Sequence, residues 1–162
     1  FIDPALADAP TTALHLLPPK QLAQTARALT TLAKPWCLGK EAVAGFGDAV
    51  AAAAATSRSM GPAAGWVSWS CLLYGLAAAG MVSIGHGSSH LSRAFQRGCR
   101  VLLSLGMEGA KDYDVANLIY AAGQTKVDPA ILQPLALFIS DALQSGATVW
   151  PGAIHQTWSN IL

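Results

Sequence analysis

The chain carries little with which to do chemistry. Only three cysteines occur in 162 residues, Cys37, Cys71 and Cys99. Their number is odd and no CxxC spacing is present, so neither a disulfide framework nor a zinc site is indicated. A reduced setting, intracellular or inside an organelle, is the plainer reading. Charged residues make up 12% of the chain and the net charge is +1, so the chain as a whole lacks the basic balance that marks many nucleic-acid binders. There is no Gly-rich phosphate loop, no HExxH and no GxSxG. His86 and His90 stand four apart, but Gly85, Gly87, Ser88 and Ser89 make that segment a loop with no carboxylate or cysteine nearby in sequence. No metal, no cofactor, no small-molecule substrate and no enzymatic activity are therefore expected. No charged n-region followed by an apolar segment opens the chain. Period-two alternation long enough for a strand is also missing.

What the chain does have is hydrophobic residues, 52% of the total, which excludes a disordered segment, and an internal repeat. Trp69-Ser70-Cys71-Leu72-Leu73 and Trp158-Ser159-Asn160-Ile161-Leu162 share one order of aromatic, small, small, aliphatic, aliphatic. Val115-Ala116-Asn117-Leu118-Ile119 fits the same register, and Leu22-Ala23-Gln24-Thr25-Ala26 fits it more loosely, with Arg27-Ala28-Leu29 standing where Tyr74-Gly75-Leu76 stand. The phrases begin at 22, 69, 115 and 158, spacings of 47, 46 and 43 residues, and self-similarity at such a period signals stacked repeats.

Proline and glycine punctuate the chain into helices. After a short helical lead-in over residues 1–18, Pro19 opens a first helix that Pro35 stops. A second helix runs over 41–57 with five consecutive alanines, Ala51 to Ala55, whose small size lets neighbouring helices approach. Another runs from about Ala63 to Ala79 with Gly80 as its C-terminal glycine. Ser88 or Ser89 caps the next, which ends at Gly106. Asp112 or Asp114 caps a helix through Ala122 ending at Gly123, and Asp128-Pro129 opens one that ends before Gly146. Pro151 introduces the last. The expected fold is all-α, an α-solenoid of about three and a half antiparallel helical pairs, divided at 19–61, 62–111, 112–150 and a partial 151–162.

The uncharged stretch from 59 to 92 contains a portion, 63 to 85, long enough to span a bilayer. Against a span stand Ser68, Ser70, Gly75 and Gly80, the lack of flanking positive residues, and the register shared with phrases that carry Arg27, Asp114 and Asn117. A repeat helix buried between its neighbours is the expectation, with the aromatic set Trp66, Trp69, Tyr74, Tyr120 and Trp158 mostly buried. Charge is unevenly spread: residues 88–111 hold four basic groups against Glu108, and residues 112–162 hold Lys126 against four aspartates. Within the basic segment, Arg93, Arg97 and Arg100 fall in one wedge of a helix, opposite Leu91, Phe95, Leu102 and Leu105. They are either a solvated face or, since three like charges repel, a seat for phosphates that guanidinium forks can hydrogen-bond.

The phrases at 22–29, 115–123 and 156–162 resemble the first helix of the octotricopeptide repeat family, which reads glutamine, small residue, Asn, aliphatics and an aromatic, then an Ala-rich end before glycine. The resemblance covers most of residues 19–162. The spacings here are longer than that family's usual repeat, and Cys71 stands where Asn117 and Asn160 stand. The resemblance implies a helical-repeat RNA-binding protein of an organelle, mitochondrion or alternatively chloroplast, with other proteins of a ribonucleoprotein as partners. The low net charge and apolar composition fit a permanent part such as an algal mitochondrial ribosomal protein. Arg93, Arg97 and Arg100 would then meet RNA phosphates. Asn117 and Asn160 either read base edges or bond within the stack. The alternatives are a protein–protein scaffold without nucleic acid and a helical subunit of a membrane complex.

Overall fold

The computed structural model describes residues 13–34, 39–81 and 90–146. Six α-helices, a helical turn over 13–15 and two short 3-10 turns occur among the described residues, with no strand. The helices are α1 (Pro19–Leu32), α2 (Lys40–Thr56), α3 (Gly65–Ala78), α4 (His90–Leu105), α5 (Asp112–Thr125) and α6 (Pro129–Gln144), with 3-10 turns Arg58–Met60 and Pro62–Ala64 between α2 and α3. The expected last helix from Pro151, with Trp158 and Asn160, lies outside the described residues, as do Cys37, His86, Ser88 and Ser89.

The chain-order contacts follow the repeat register. Helix α3 packs between α1 and α5, and α4 packs between α2 and α6, so odd-numbered helices form one row and even-numbered helices the other. The rows meet through α1 against α2 and α3 against α4. One continuous core runs through both, with Leu22, Leu29, Trp66, Trp69, Leu72, Leu76, Phe95 and Leu102 in its interior. Small residues set the spacing. A Cβ on Gly75 would lie 2.5 Å from the Ala26 carbonyl carbon and 2.7 Å from the Arg27 nitrogen, so α1 and α3 touch backbone to backbone there. A Cβ on Gly98 would lie 2.8 Å from Cε3 of Trp69, so the indole of α3 lies on the α4 backbone. Ala51, Ala53 and Ala54 are fully buried on α2.

Several end signals act as the residue types require. Pro19 opens α1, and Asp128 accepts the Ala130 N–H at 2.9 Å with Pro129 in the first turn of α6. Gly80 takes a φ of +83 after α3, and the Met81 N–H reaches back to the Leu76 carbonyl at 3.1 Å, closing a Schellman turn. Two ends differ from expectation. Helix α5 passes through Gly123 to Thr125, and Lys126 rather than glycine takes the left-handed conformation, at φ 51. The Thr125 hydroxyl donates to the Ala121 carbonyl at 2.7 Å, which holds this last turn together. At its start Lys111 is the cap residue, and Asp114 sits three residues in. The uncharged stretch yields a 14-residue α3, about 21 Å at 1.5 Å per residue and short of a hydrocarbon core of about 30 Å. Among the described residues no helix is long and apolar enough to cross a membrane.

The lead-in is helical over 13–15 and then turns. It is fastened to the end of α2 by polar contacts. The Ser57 hydroxyl donates to the His15 carbonyl at 2.8 Å, the Ser59 hydroxyl to the Leu17 carbonyl at 2.9 Å, and Thr56 meets the His15 ring at 3.1 Å.

Candidate nucleic-acid interface

The three arginines of α4 do not share one environment. Arg93 and Arg100 are exposed, whereas Arg97 is half-buried and donates to the Ala54 carbonyl at 3.2 Å. That carbonyl lies in the last turn of α2, where backbone acceptors have no partner within the helix. Arg97 therefore ties α4 to the end of α2, and desolvation by burial lowers its pKa from the ordinary guanidinium value. Arg93 and Arg100 are left as the outward-pointing cations of the wedge. Helix α4 contains no acidic residue. At its start the His90 ring nitrogen meets a carboxylate oxygen of Asp48 on α2 at 2.8 Å, so a histidine with no carboxylate nearby in sequence finds one in space. Among the described residues no group of three or more His, Cys, Asp or Glu is placed to hold a metal ion. Burial pushes the Cys99 thiol up to about 11, which leaves it protonated and a poor nucleophile.

The outer side of the odd-numbered row carries a second set of residues. The repeat register aligns Lys20 with Val67 and Tyr113, Gln24 with Cys71 and Asn117, and Arg27 with Tyr74 and Tyr120. These side chains are exposed or half-buried in every case. Tyr74 and Tyr120 are in ring contact, with centroids 5.1 Å apart and planes tilted by 42°. Trp66 and Trp69 are buried as expected, but Tyr74 is only half-buried and Tyr120 is 39% exposed. The correction has a physical cause: Trp69 leads the repeat phrase and points at α4, whereas Tyr74 and Tyr120 lie five positions on, on the side of the row away from the even-numbered helices. The alignment of 27, 74 and 120 in one column was the signal in the sequence for this. Asn117 lies half-buried in the middle column; Asn160 lies outside the described residues.

Asp114 supports this row from within. Its carboxylate is fully buried, accepts the Ser70 hydroxyl at 2.6 Å across the α3–α5 contact, and accepts the Lys111 N–H at 3.1 Å. Desolvation by burial raises its pKa above the usual carboxylate value, and the Ser70 and Lys111 hydrogen bonds only partly oppose that. A native pKa above the unfolded one means that the protonated form favours folding. The contribution is fully present below the unfolded pKa and is lost as pH rises through the native one. Asp114→Asn places a neutral amide there. Its oxygen can take the Lys111 N–H and its NH2 can donate to Ser70, whose hydroxyl then turns to the Val67 carbonyl, already 3.3 Å away. The stability of wild type relative to this variant should fall as pH rises from the acid range to neutrality, measured by urea unfolding at a series of pH values. A difference that stays level across the series would contradict the assignment.

Comparison of the chain with protein-family models, with curated proteins and with solved structures finds no match in any of the three.

Proposed function

We propose that this is a non-enzymatic helical-repeat RNA-binding protein of an organelle, the mitochondrion or alternatively the chloroplast, built as a solenoid of antiparallel helical pairs and held as a structural part of a ribonucleoprotein. The observation that carries the reading is the outward face of α4, where Arg93 and Arg100 stand exposed on a helix without a carboxylate. Two like charges about two turns apart gain little from each other, while phosphate oxygens would accept from both guanidinium groups. The resemblance of the repeat phrases to octotricopeptide repeats supplies the ligand class and the compartment, and the apolar composition fits a permanently assembled part.

Because Arg97 also fastens α2, Arg93→Gln with Arg100→Gln is the clean test. The double variant should keep wild-type unfolding behaviour and bind RNA about tenfold more weakly. The slope of log affinity against log salt should become shallower by between about one and two units for two phosphates. Unchanged affinity and slope would reduce these arginines to a solvated face. A second reading, a protein–protein scaffold, is favoured by the exposed apolar side chains of α6, Leu137 at 57% and Leu143 at 36%, beside an apolar cleft between α5 and α6 lined by Ile119, Ala122, Leu132 and Ala136. It becomes the leading one if no RNA is bound.

A further inference from the structure

Where α6 lies against α4, the outer side of the even-numbered row carries a groove of about 300 Å³, at the small end of the range for clefts that take a ligand. Leu103 of α4 and Ile131 of α6 are half-buried along it, and Ala130 and Pro134 form its exposed edge on α6. Leu137 stands one turn beyond Pro134 on the same side of the helix and is 57% exposed, which carries the apolar strip over two turns, about 10 Å. The two edges differ in polarity. On α4 the edge is cationic: Arg100 lines the groove beside Gln96, Arg93 stands two turns earlier on the same side, both arginines are exposed, and the helix has no carboxylate. On α6 the edge is made of acceptors. Asp128 and Asp141 are exposed at either end of the strip, and Pro134 brings no N–H to the Ala130 carbonyl four residues back. Among the described residues neither arginine is within ion-pair distance of either aspartate, so the two edges do not neutralise each other.

We infer that this groove is the docking site for an amphipathic helix of a partner protein. The helix lies along α4 and α6 with its apolar stripe on Leu103, Ile131, Pro134 and Leu137, its carboxylates toward Arg93 and Arg100, and its lysines toward Asp141 and the Ala130 carbonyl. A helix suits the strip because its own apolar positions recur every three or four residues, as Ala130, Pro134 and Leu137 do on α6. The opposed edges also fix its direction. Turned end for end, the same helix would set carboxylates against Asp141 and lysines against the arginines, and like charges brought together are costly. The inference goes beyond the RNA reading and rests on it for one consequence. A guanidinium engaged with a carboxylate is not free for a phosphate, so helix and RNA exclude each other on α4.

The test uses the full chain and a synthetic peptide of about 18 residues, long enough to be helical in water, with leucines at every third or fourth place, glutamates on one flank and lysines on the other. Fluorescence anisotropy should show wild type binding it about fivefold more tightly than the same peptide with glutamine for glutamate, the effect of two exposed ion pairs. Arg93→Gln with Arg100→Gln should abolish that preference. Leu137→Gln, an exposed substitution that leaves the core untouched, should weaken peptide binding about tenfold and leave RNA binding as it was. Rising peptide should displace a mixed-sequence RNA from wild type. Equal affinity for the two peptides, or peptide binding untouched by Leu137→Gln, overturns the inference. RNA that stays bound at saturating peptide shows that the carboxylates do not reach the arginines, and overturns it too. A dimer of the free chain that Leu137→Gln dissolves assigns the groove to a second copy, and RNA binding that falls in Leu137→Gln assigns it to RNA; both overturn it. Wild type that binds the peptide but no RNA leaves the inference standing and overturns the RNA reading alone.

Discussion

Gly75→Ala should destabilise the protein by about 2 kcal/mol, whereas Gly123→Ala, the same chemical change in the next helix of the row, should stabilise it. Both glycines lie inside helices, α3 and α5, where alanine is favoured by about 1 kcal/mol on propensity alone. What differs is the room. At Gly123 a new Cβ meets nothing within 4 Å, so the propensity gain of roughly 0.5 to 1 kcal/mol is realised. At Gly75 the Cβ would stand 2.5 Å from the Ala26 carbonyl carbon and 2.6 Å from its oxygen. These are backbone atoms in the middle of α1, and no rotamer change can move them. The two helices must separate, and overpacking of that kind costs about 3 kcal/mol, which outweighs the propensity. For a chain of this length the net effect corresponds to a melting temperature lower by roughly 4–8 °C. Thermal unfolding of the two variants beside wild type decides it, and a stabilised Gly75→Ala protein would show that α1 and α3 do not approach as described.

Helix positions were legible in the sequence wherever a residue type has one physical use. Proline at 19 and 129 and aspartate at 128 start helices because nothing competes with that role at those places. Glycine is less specific. Gly80 and Gly123 both follow an Ala-rich end, yet only the first takes a positive φ; the second is an ordinary helical residue, and Lys126 turns the chain three residues later. Row order was legible too, since residues in equivalent register tend to meet equivalent neighbours, and α3 does pack between α1 and α5.

The candidate site was legible only in part. A helical wheel places Arg93, Arg97 and Arg100 together, but it contains no information about α2, and so cannot see that Arg97 reaches the Ala54 carbonyl 43 residues back. The Ser70–Asp114 bond spans 44 residues and the His90–Asp48 pair 42, and neither partner has a local pattern that announces the other. The tyrosine pair is an intermediate case. Its register was visible, but its exposure depends on which side of the row the even-numbered helices cover, and that is fixed by Trp69 packing on Gly98.

Trp69 is accordingly where the largest loss is expected, and how its indole is held makes the prediction specific. The side chain is fully buried between the rows, so Trp69→Ala removes most of an indole from a close-packed interior and should cost about 3 to 5 kcal/mol. The milder change to phenylalanine separates packing from hydrogen bonding. The Trp69 indole nitrogen is buried with no acceptor among the described residues, and an unmet buried donor costs about 1 to 3 kcal/mol. Trp69→Phe removes that donor as it removes volume, and the two effects oppose, so the net change should be within about 1 kcal/mol. Trp66, one turn earlier on α3, is nearly as buried, but its indole N–H donates to the Gly106 carbonyl at 2.8 Å. Trp66→Phe loses similar volume and also strands that carbonyl at the end of α4, adding about 1 kcal/mol or more. Urea unfolding should therefore order the variants, from most to least damaged, as Trp69→Ala, Trp66→Phe, Trp69→Phe. Equal losses in the two phenylalanine variants would mean that the Trp66 bond contributes nothing, and that volume alone governs how α3 is held against α4.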